Sequence, residues 1–136
     1  MRVGHLVGSF LHVTEHWIHA QMVATPRLEP LVLNRGERLN DVLFGGAPGC
    51  HLVEIPRGDH TTEAEGWERD GFSPAFARAC RRARVDVLHA HFGPEGALGL
   101  RLAAALGRPL VTSFYGYDAG TLPRSAAWRR TLRQTS

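Results

Sequence analysis

The sequence predicts an α/β fold in which helices cover both faces of a parallel sheet. Short apolar runs bounded by glycine and proline alternate with helix-like segments along the whole chain. Strands that alternate with helices are typical of parallel sheets. The length of 136 residues suits one domain, and no internal repeat or low-complexity tract interrupts the pattern.

The first strand is predicted over residues 3–8 (VGHLVG), and residues 9–13 form the loop that follows. Thr14 is the expected N-cap of the first helix, because a threonine hydroxyl can accept a hydrogen bond from a free N–H group of the first turn. Trp17 contributes to the apolar face of this helix, and Pro26 ends it.

The second and third strands are predicted at residues 31–33 and 52–55, separated by a glycine-rich break at residues 45–49. Residues 57–72 are polar, charged and interrupted by glycine, which predicts a surface loop.

Ser73 and Pro74 open the next helix, with serine as N-cap and proline at the first helical position. The remaining elements are a helix to about residue 84, a strand at 85–91, a helix at 93–107, a strand at 109–114, a loop at 115–123 and a basic helix toward residue 136.

Three polar loops follow the carboxyl ends of strands, at residues 9–15, 91–95 and 115–118. Ligands of parallel α/β sheets collect at these ends. The free N–H groups of a helix N-terminus there suit an anionic or polyhydroxyl ligand. No G-x-G-x-x-G follows the first strand, and the glycines at positions 93, 96 and 99 fit helix packing better than a phosphate site.

The charge composition limits the classes of function. All sixteen basic residues are arginine, and the absence of lysine excludes a Walker-A loop and a Schiff-base lysine. Aromatic residues are not interleaved with the arginines, so nucleic acid is not an expected partner. The basic residues near the end either form a solvated helix face or contact anionic lipid headgroups. These C-terminal arginines are Arg124, Arg129, Arg130 and Arg133.

The cysteines and the apolar runs indicate a cytoplasmic protein. Cys50 and Cys80 are too far apart for a C-x-x-C site, so two free thiols are expected. No apolar run approaches the ~20 residues of a membrane span, and the first residues lack the apolar stretch of a signal peptide. Any membrane contact is therefore expected to be peripheral, at the inner face.

The stretch HVTEHWIH contains a possible metal motif. Residues 12–16 fit H-x-x-E-H, in which His12, Glu15 and His16 would serve a zinc-dependent hydrolase, with His91 as the best further ligand. The motif needs both histidines one turn apart on one helix. Because Thr14 is the expected cap, His12 lies in the preceding loop. We therefore assign no metal ligand, and the zinc hydrolase is kept only as a remote alternative.

Two segments carry a resemblance to a known family. Residues 89–118 read HAHFGPEGALGLRLAAALGRPLVTSFYGYD, and residues 5–22 read HLVGSFLHVTEHWIHAQM. The first resembles a family pattern in which D-V-x-H-A-H-F precedes a glycine and a helix, followed by G-x-P-L-V-x-[TS]-F and [HY]-G-x-D. The chain thus resembles the N-terminal, acceptor-side domain of family 4 retaining glycosyltransferases, of the exopolysaccharide and colanic-acid type. The resemblance implies a Rossmann-like domain forming half of a GT-B enzyme.

The resemblance also implies site residues. Tyr115 and Asp118 correspond to the reacting side of the acceptor pocket. Tyr115 stands where many members have histidine, and a phenol is a poor base at neutral pH, so a hydrogen-bonding role is expected. Asp118 either orients a sugar hydroxyl or closes a turn. His89 is expected to face away from His91 as a buried histidine. The residues implied in substrate binding are Thr14, Glu15, His91, Phe92, Gly93 and Gly116.

The family also uses a second domain, which binds the nucleotide-sugar donor and which this sequence does not contain. We therefore expect residues 1–136 to bind a glycan or lipid-linked acceptor, to need no cofactor of their own, and not to catalyse transfer alone. The chain would be a fragment, half of a split enzyme, or a stand-alone carbohydrate-binding or interaction module.

Overall fold

The structure, a computed structural model, describes residues 1–36, 38–40, 42–43, 45–46, 48–55, 66–67 and 69–132. Five parallel strands form one sheet in the order β3-β2-β1-β4-β5. The strands are β1 (Arg2–Val7), β2 (Glu29–Asn34), β3 (His51–Glu54), β4 (Val87–His91) and β5 (Leu110–Ser113). All five were predicted within a few residues, and the parallel α/β fold is confirmed.

Helices connect the strands. They are α1 (His16–Val23), α2 (Pro74–Ala83), α3 (Gly93–Leu106), α4 (Gly116–Gly120) and α5 (Ala126–Leu132), with 3-10 turns at Val13–Glu15 and Leu122–Arg124. The predicted start of α2 is confirmed, because the Ser73 hydroxyl accepts the Phe76 N–H at 3.2 Å. Residues 45–46 and 48–49 are turns, in agreement with the predicted break.

Helix α3 packs closely on the sheet through its glycines. A Cβ at Gly96 would overlap the Thr112 side chain, and one at Gly99 would lie 2.6 Å from Leu6 Cδ1. The repeated glycines therefore let the helix backbone approach β1 and β5, as the packing interpretation predicts.

Two apolar cores lie on opposite faces of the sheet. The larger contains Leu6, Leu33 and Leu88 with α2 and α3, and the smaller contains Val7 and Val32 with α1. Burying a leucine side chain stabilises the fold by roughly 1.5–3 kcal/mol. The packing therefore fixes the strand ends that carry the loops.

Two loop predictions were wrong. Within residues 57–72, Trp67 is only 1% exposed and packs edge-on against Phe76 at a ring distance of 5.2 Å. The polar surroundings of Trp67 in the sequence hid this core residue. Residues 57–65 and 68 lie outside the described part. The predicted loop at 115–123 contains helix α4 and a 3-10 turn.

Both cysteines are free, as expected. Burial raises the pKa of Cys50 to about 11 and that of Cys80 to about 12. These thiols are therefore poor nucleophiles at neutral pH. Among the described helices, none combines the length and the apolar composition that a bilayer span requires.

Candidate functional site

A cavity lies where the strand order reverses. The chain runs outward from β1 to β2 and β3, and then returns to β4 on the other side of β1. Open α/β sheets bind ligands at the carboxyl ends of strands near such a reversal. The cavity there has a volume of about 520 Å³, within the usual range for small-ligand sites. Its lining includes His12, Glu15, Arg35, Phe92, Glu95, Tyr117 and Asp118.

All three predicted loops contribute residues to this cavity. Of the predicted site residues, Glu15, Phe92 and Asp118 line it. Those that lie beside the cavity without lining it are Thr14, His91, Gly93, Tyr115 and Gly116.

The first loop forms a 3-10 turn before α1 begins. His12, not Thr14, is its N-cap: the Thr14 N–H donates to His12 Nδ1 at 3.3 Å, which corrects the predicted cap. The imidazole of His12 takes the capping role expected of the Thr14 hydroxyl, because its Nδ1 reaches the N–H of the residue two positions later. Glu15 follows at the cavity, where its carboxylate has no hydrogen-bond partner among the described residues. This carboxylate can accept hydrogen bonds from the hydroxyl groups of a ligand.

Asp118 ties the second loop to the third. Its side chain is 1% exposed, with Oδ2 accepting the Gly93 N–H and Oδ1 accepting the Tyr115 N–H, both at 2.6 Å. Both carboxylate oxygens of Asp118 are therefore used in closing the turns, as one of its two predicted roles requires. Through these bonds Asp118 sets the relative positions of the loops that follow β4 and β5.

Phe92 joins β4 to α3 in an uncommon conformation. Its φ is 76°, in the left-handed region, which costs a non-glycine residue about 1–3 kcal/mol. The Phe92 N–H is held by the Ser113 carbonyl at 2.9 Å. The surrounding hydrogen bonds thus maintain a strained turn at the wall of the cavity.

A partly buried ion pair forms another wall of the cavity. Glu95 lies in the first turn of α3 and is 3% exposed. Arg35, which follows β2, donates from Nε and Nη2 to its carboxylate at 2.9–3.1 Å. Two-point contacts of this kind hold a guanidinium in a fixed orientation. Sequence reasoning missed this pair because 60 residues separate the partners. The one local signal was an acidic residue, Glu95, in the first turn of a helix.

Tyr115 lies behind the cavity in an aromatic cluster. Its ring packs against Trp17 at 4.5 Å and Phe92 at 4.8 Å. Its hydroxyl and His91 Nδ1 are hydrogen-bonded at 3.0 Å. Burial, with the nearby Asp118 charge, raises the pKa of Tyr115. The hydrogen bond to His91 agrees with the expected hydrogen-bonding role of Tyr115. The raised pKa makes the phenol an even poorer base at neutral pH than a free tyrosine.

The expected orientation of His89 was wrong. Its ring lies 4.3 Å from the His91 ring, on the same face of the sheet. Successive side chains of a strand alternate, so residues two apart share a face. His89 Nε2 is hydrogen-bonded to the Ser113 hydroxyl at 2.8 Å.

The H-x-x-E-H motif does not form a converging ligand set. His12 precedes the helix, as predicted, and His16 Nδ1 is paired with the Val13 carbonyl at 2.9 Å. Within the described part of the chain, the one group of three side chains suited to a metal is His5, His89 and His91.

A larger cavity of about 800 Å³ opens at the amino ends of the strands, between Arg2, His51 and Arg82. The cavity at the carboxyl ends remains the better candidate because it combines a loop-built wall with convergent polar groups. The Glu15 carboxylate, which has no hydrogen-bond partner within the described part of the chain, offers acceptor oxygens, and the Tyr117 ring, which is 64% exposed, offers an apolar surface. This combination suits a polyhydroxyl ligand. Sequence reasoning did not single out Tyr117.

Comparison with known proteins gives a family and a fold. The sequence profile of Glycosyltransferase Family 4 matches residues 19–136. The chain is similar to MurG from Acinetobacter baumannii, with a TM-score of 0.63 and 16% identity over 99% of this chain and 39% of that one. It is also similar to the C-terminal domain of a Pyrococcus furiosus hydrogenase, with a TM-score of 0.50 and 10% identity over 82% of this chain and 90% of that domain. At such identities the structural likeness concerns the fold alone. No curated protein sequence matches the chain.

Proposed function

The chain belongs to glycosyltransferase family 4, and on this premise we propose that it is the acceptor-binding half of a retaining glycosyltransferase. The enzyme would move a sugar from a nucleotide sugar to a glycan or lipid-linked acceptor in polysaccharide synthesis of the exopolysaccharide or colanic-acid type. The donor would bind a second domain outside these 136 residues. The chain spans 39% of the MurG chain, which leaves room for such a domain in a whole enzyme.

One observation carries the proposal: the three loops implied by the family resemblance line a single cavity of about 520 Å³. In this account Glu15 accepts hydrogen bonds from acceptor hydroxyls, and the Tyr117 ring packs against the apolar face of the sugar. The partly buried Arg35–Glu95 pair holds the cavity wall, and Asp118 holds the two loops behind it.

Asp118 and Tyr115 retain their proposed importance for the reaction, but in supporting roles. Asp118 positions the backbone of both loops and is not a free carboxylate. Tyr115 bonds His91 from behind the cavity wall. We propose that the acceptor hydroxyl reaches the donor sugar at the mouth of the cavity that the Glu15 carboxylate lines.

Localisation follows from the acceptor class. We propose that the protein is cytoplasmic and touches the inner membrane face through the C-terminal arginines when its acceptor is lipid-linked. Each arginine near an anionic surface contributes about 1 kcal/mol to such binding.

Isothermal titration with two ligand classes tests the proposal. The chain is expected to bind a neutral oligosaccharide acceptor and to bind nucleotide sugars far more weakly. Glu15→Gln and Tyr117→Ala should each weaken acceptor binding about 5–10-fold, the loss expected for one hydrogen bond or one partial ring contact.

Glu29→Gln is the matched control, since Glu29 is exposed and lies at the opposite, amino end of the sheet. Tighter binding of nucleotide sugars than of acceptors would refute the acceptor assignment. Acceptor binding that never leads to transfer, even with a donor domain supplied, would favour the stand-alone carbohydrate-binding module.

A further inference from the structure

Three histidines from two adjacent strands meet on the sheet face covered by α1. His5 of β1 is directly opposite His89 of β4 in the strand register. His91 lies two residues further along β4, on the same face. The ring of His5 is 5.4 Å from that of His89 and 5.3 Å from that of His91. Two adjacent parallel strands thus bring three imidazoles together.

Each ring offers one nitrogen, and these nitrogens all lie within 4.8 Å of one another. Nitrogens bound to one tetrahedral Zn²⁺ at about 2.0–2.1 Å are roughly 3.3 Å apart. His5 Nδ1 and His91 Nε2 are 3.0 Å apart because they share a hydrogen bond, and a bound metal ion would replace it. Small rotations of the rings about their side-chain bonds would therefore bring the nitrogens to metal-binding distances.

The rings are also in the protonation state that metals require. Burial lowers the pKa of His5 to about 3 and that of His91 to about 2, and it lowers the pKa of His89 as well. Neutral imidazoles carry the free lone pair that binds a metal ion.

Two of the histidines have the outer partners that metal ligands need. Ligating histidines use their second ring nitrogen to donate to an oxygen, which fixes the ring. His91 Nδ1 lies 3.0 Å from the Tyr115 hydroxyl, and His89 Nε2 lies 2.8 Å from the Ser113 hydroxyl. The second nitrogen of the His91 ring, Nε2, is hydrogen-bonded to His5 Nδ1, so a bound ion would take the place of that hydrogen bond.

His5 supplies an independent observation. It is 5% exposed, and its Nε2 has no hydrogen-bond partner among the described residues. A buried polar atom without a partner costs about 1–3 kcal/mol. Coordination of an ion through Nε2 of His5 would give that atom the partner it lacks.

His89 is the most exposed of the three histidines. His89 is only half-buried, and the neighbouring Val111 of β5 is 52% exposed. Three histidine ligands would leave a fourth coordination position for water, an arrangement common to three-histidine zinc sites.

We propose that His5, His89 and His91 form a binding site for a divalent transition-metal ion, with Zn²⁺ as the preferred occupant. Imidazole ligands suit Zn²⁺, Cu²⁺ and Ni²⁺, and three of them in a tetrahedral arrangement favour zinc. The ion would join β1 to β4 and hold His91 against Tyr115. None of the three histidines lines the proposed acceptor cavity, so either assignment can fail alone.

Zinc titration of the untagged, chelator-treated chain tests the proposal, with a fluorescent chelator as competitor. The expected result is one Zn²⁺ per chain, and Co²⁺ is expected to give the intense visible absorption of tetrahedral coordination. His89→Ala, at a half-buried position that tolerates truncation, should weaken Zn²⁺ binding at least about 100-fold. Ser113→Ala removes only an outer partner and should weaken it roughly 10–100-fold.

His12→Ala and His51→Ala are matched controls, because both histidines are exposed and lie outside the cluster. They should leave Zn²⁺ affinity within twofold of the unsubstituted chain. Absence of stoichiometric binding overturns the proposal, as does unchanged affinity in His89→Ala. Loss of binding in His12→Ala alone would place the metal in the first loop and equally overturn it.

Discussion

Replacing Asp118 with alanine should destabilise the domain strongly. The buried carboxylate accepts two backbone N–H groups at 2.6 Å, from Gly93 and Tyr115. A hydrogen bond to a charged group contributes about 1.5–3 kcal/mol, so losing both costs about 3–6 kcal/mol. This is a large share of the 5–15 kcal/mol that stabilises a typical domain. Urea denaturation followed by circular dichroism measures the change in the free energy of unfolding.

Two further variants sharpen the test. Asp118→Asn keeps one acceptor oxygen but sets an amide N–H donor against the other backbone N–H, so it should lose at least about half as much stability as Asp118→Ala. Asp86→Ala is the matched control, because exposed Asp86 also accepts one backbone N–H, from Arg2 at 2.8 Å. It should cost no more than about 1 kcal/mol. Equal unfolding midpoints for Asp118→Ala and Asp86→Ala would refute the account of Asp118 as the link between the loops.

Three other predictions concern stability and surface charge. With a chelator present, acid should destabilise the fold. Burial keeps His5 and His91 neutral in the folded state by lowering their pKa values to about 3 and about 2. In the unfolded chain the same histidines gain protons below about pH 6.5. Urea unfolding should therefore show a loss of about 3 kcal/mol between pH 7.5 and 5.5, and a flat profile would contradict it. Gly71→Ala should lower the free energy of unfolding by well over about 1–2 kcal/mol, the cost of an alanine in the left-handed conformation, because its Cβ would overlap the Leu98 carbonyl. The Cβ of Gly107→Ala meets nothing within 4 Å, so that variant is the matched control. Equal shifts of the melting temperature in the two variants would show that the overlap at Gly71 relaxes. Sedimentation with anionic vesicles should show binding that salt abolishes and that Arg130→Ser weakens about fivefold; equal binding to neutral vesicles would exclude an electrostatic contact.

The sequence predicted the sheet well because its apolar runs are short and clearly bounded. The Ser73-Pro74 helix start was equally clear, since its cap is local. Elements that depend on distant partners were missed. Helix α4 is stabilised by Asp118, whose second contact, to Gly93, spans 25 residues. Trp67 lies in a polar segment and is buried only because α2 packs against it.

The candidate site shows the same division. Motif spacing placed the three loops at the carboxyl ends, where they converge. It could not reveal that Arg35 pairs with Glu95, or that the strand register sets His5 opposite His89. Local reasoning also overestimated the freedom of Asp118, because both of its hydrogen bonds appear only when the loops are packed together.

The central claim is that the cavity at the carboxyl ends binds a sugar acceptor. Amide chemical-shift mapping of the labelled chain during titration with a neutral oligosaccharide tests it most directly. The account predicts saturable shifts clustered at Glu15, Phe92, Glu95 and Tyr117, with the amides around Arg82 unchanged. Shifts centred on the larger cavity near Arg82, or no saturable shifts at all, would contradict it.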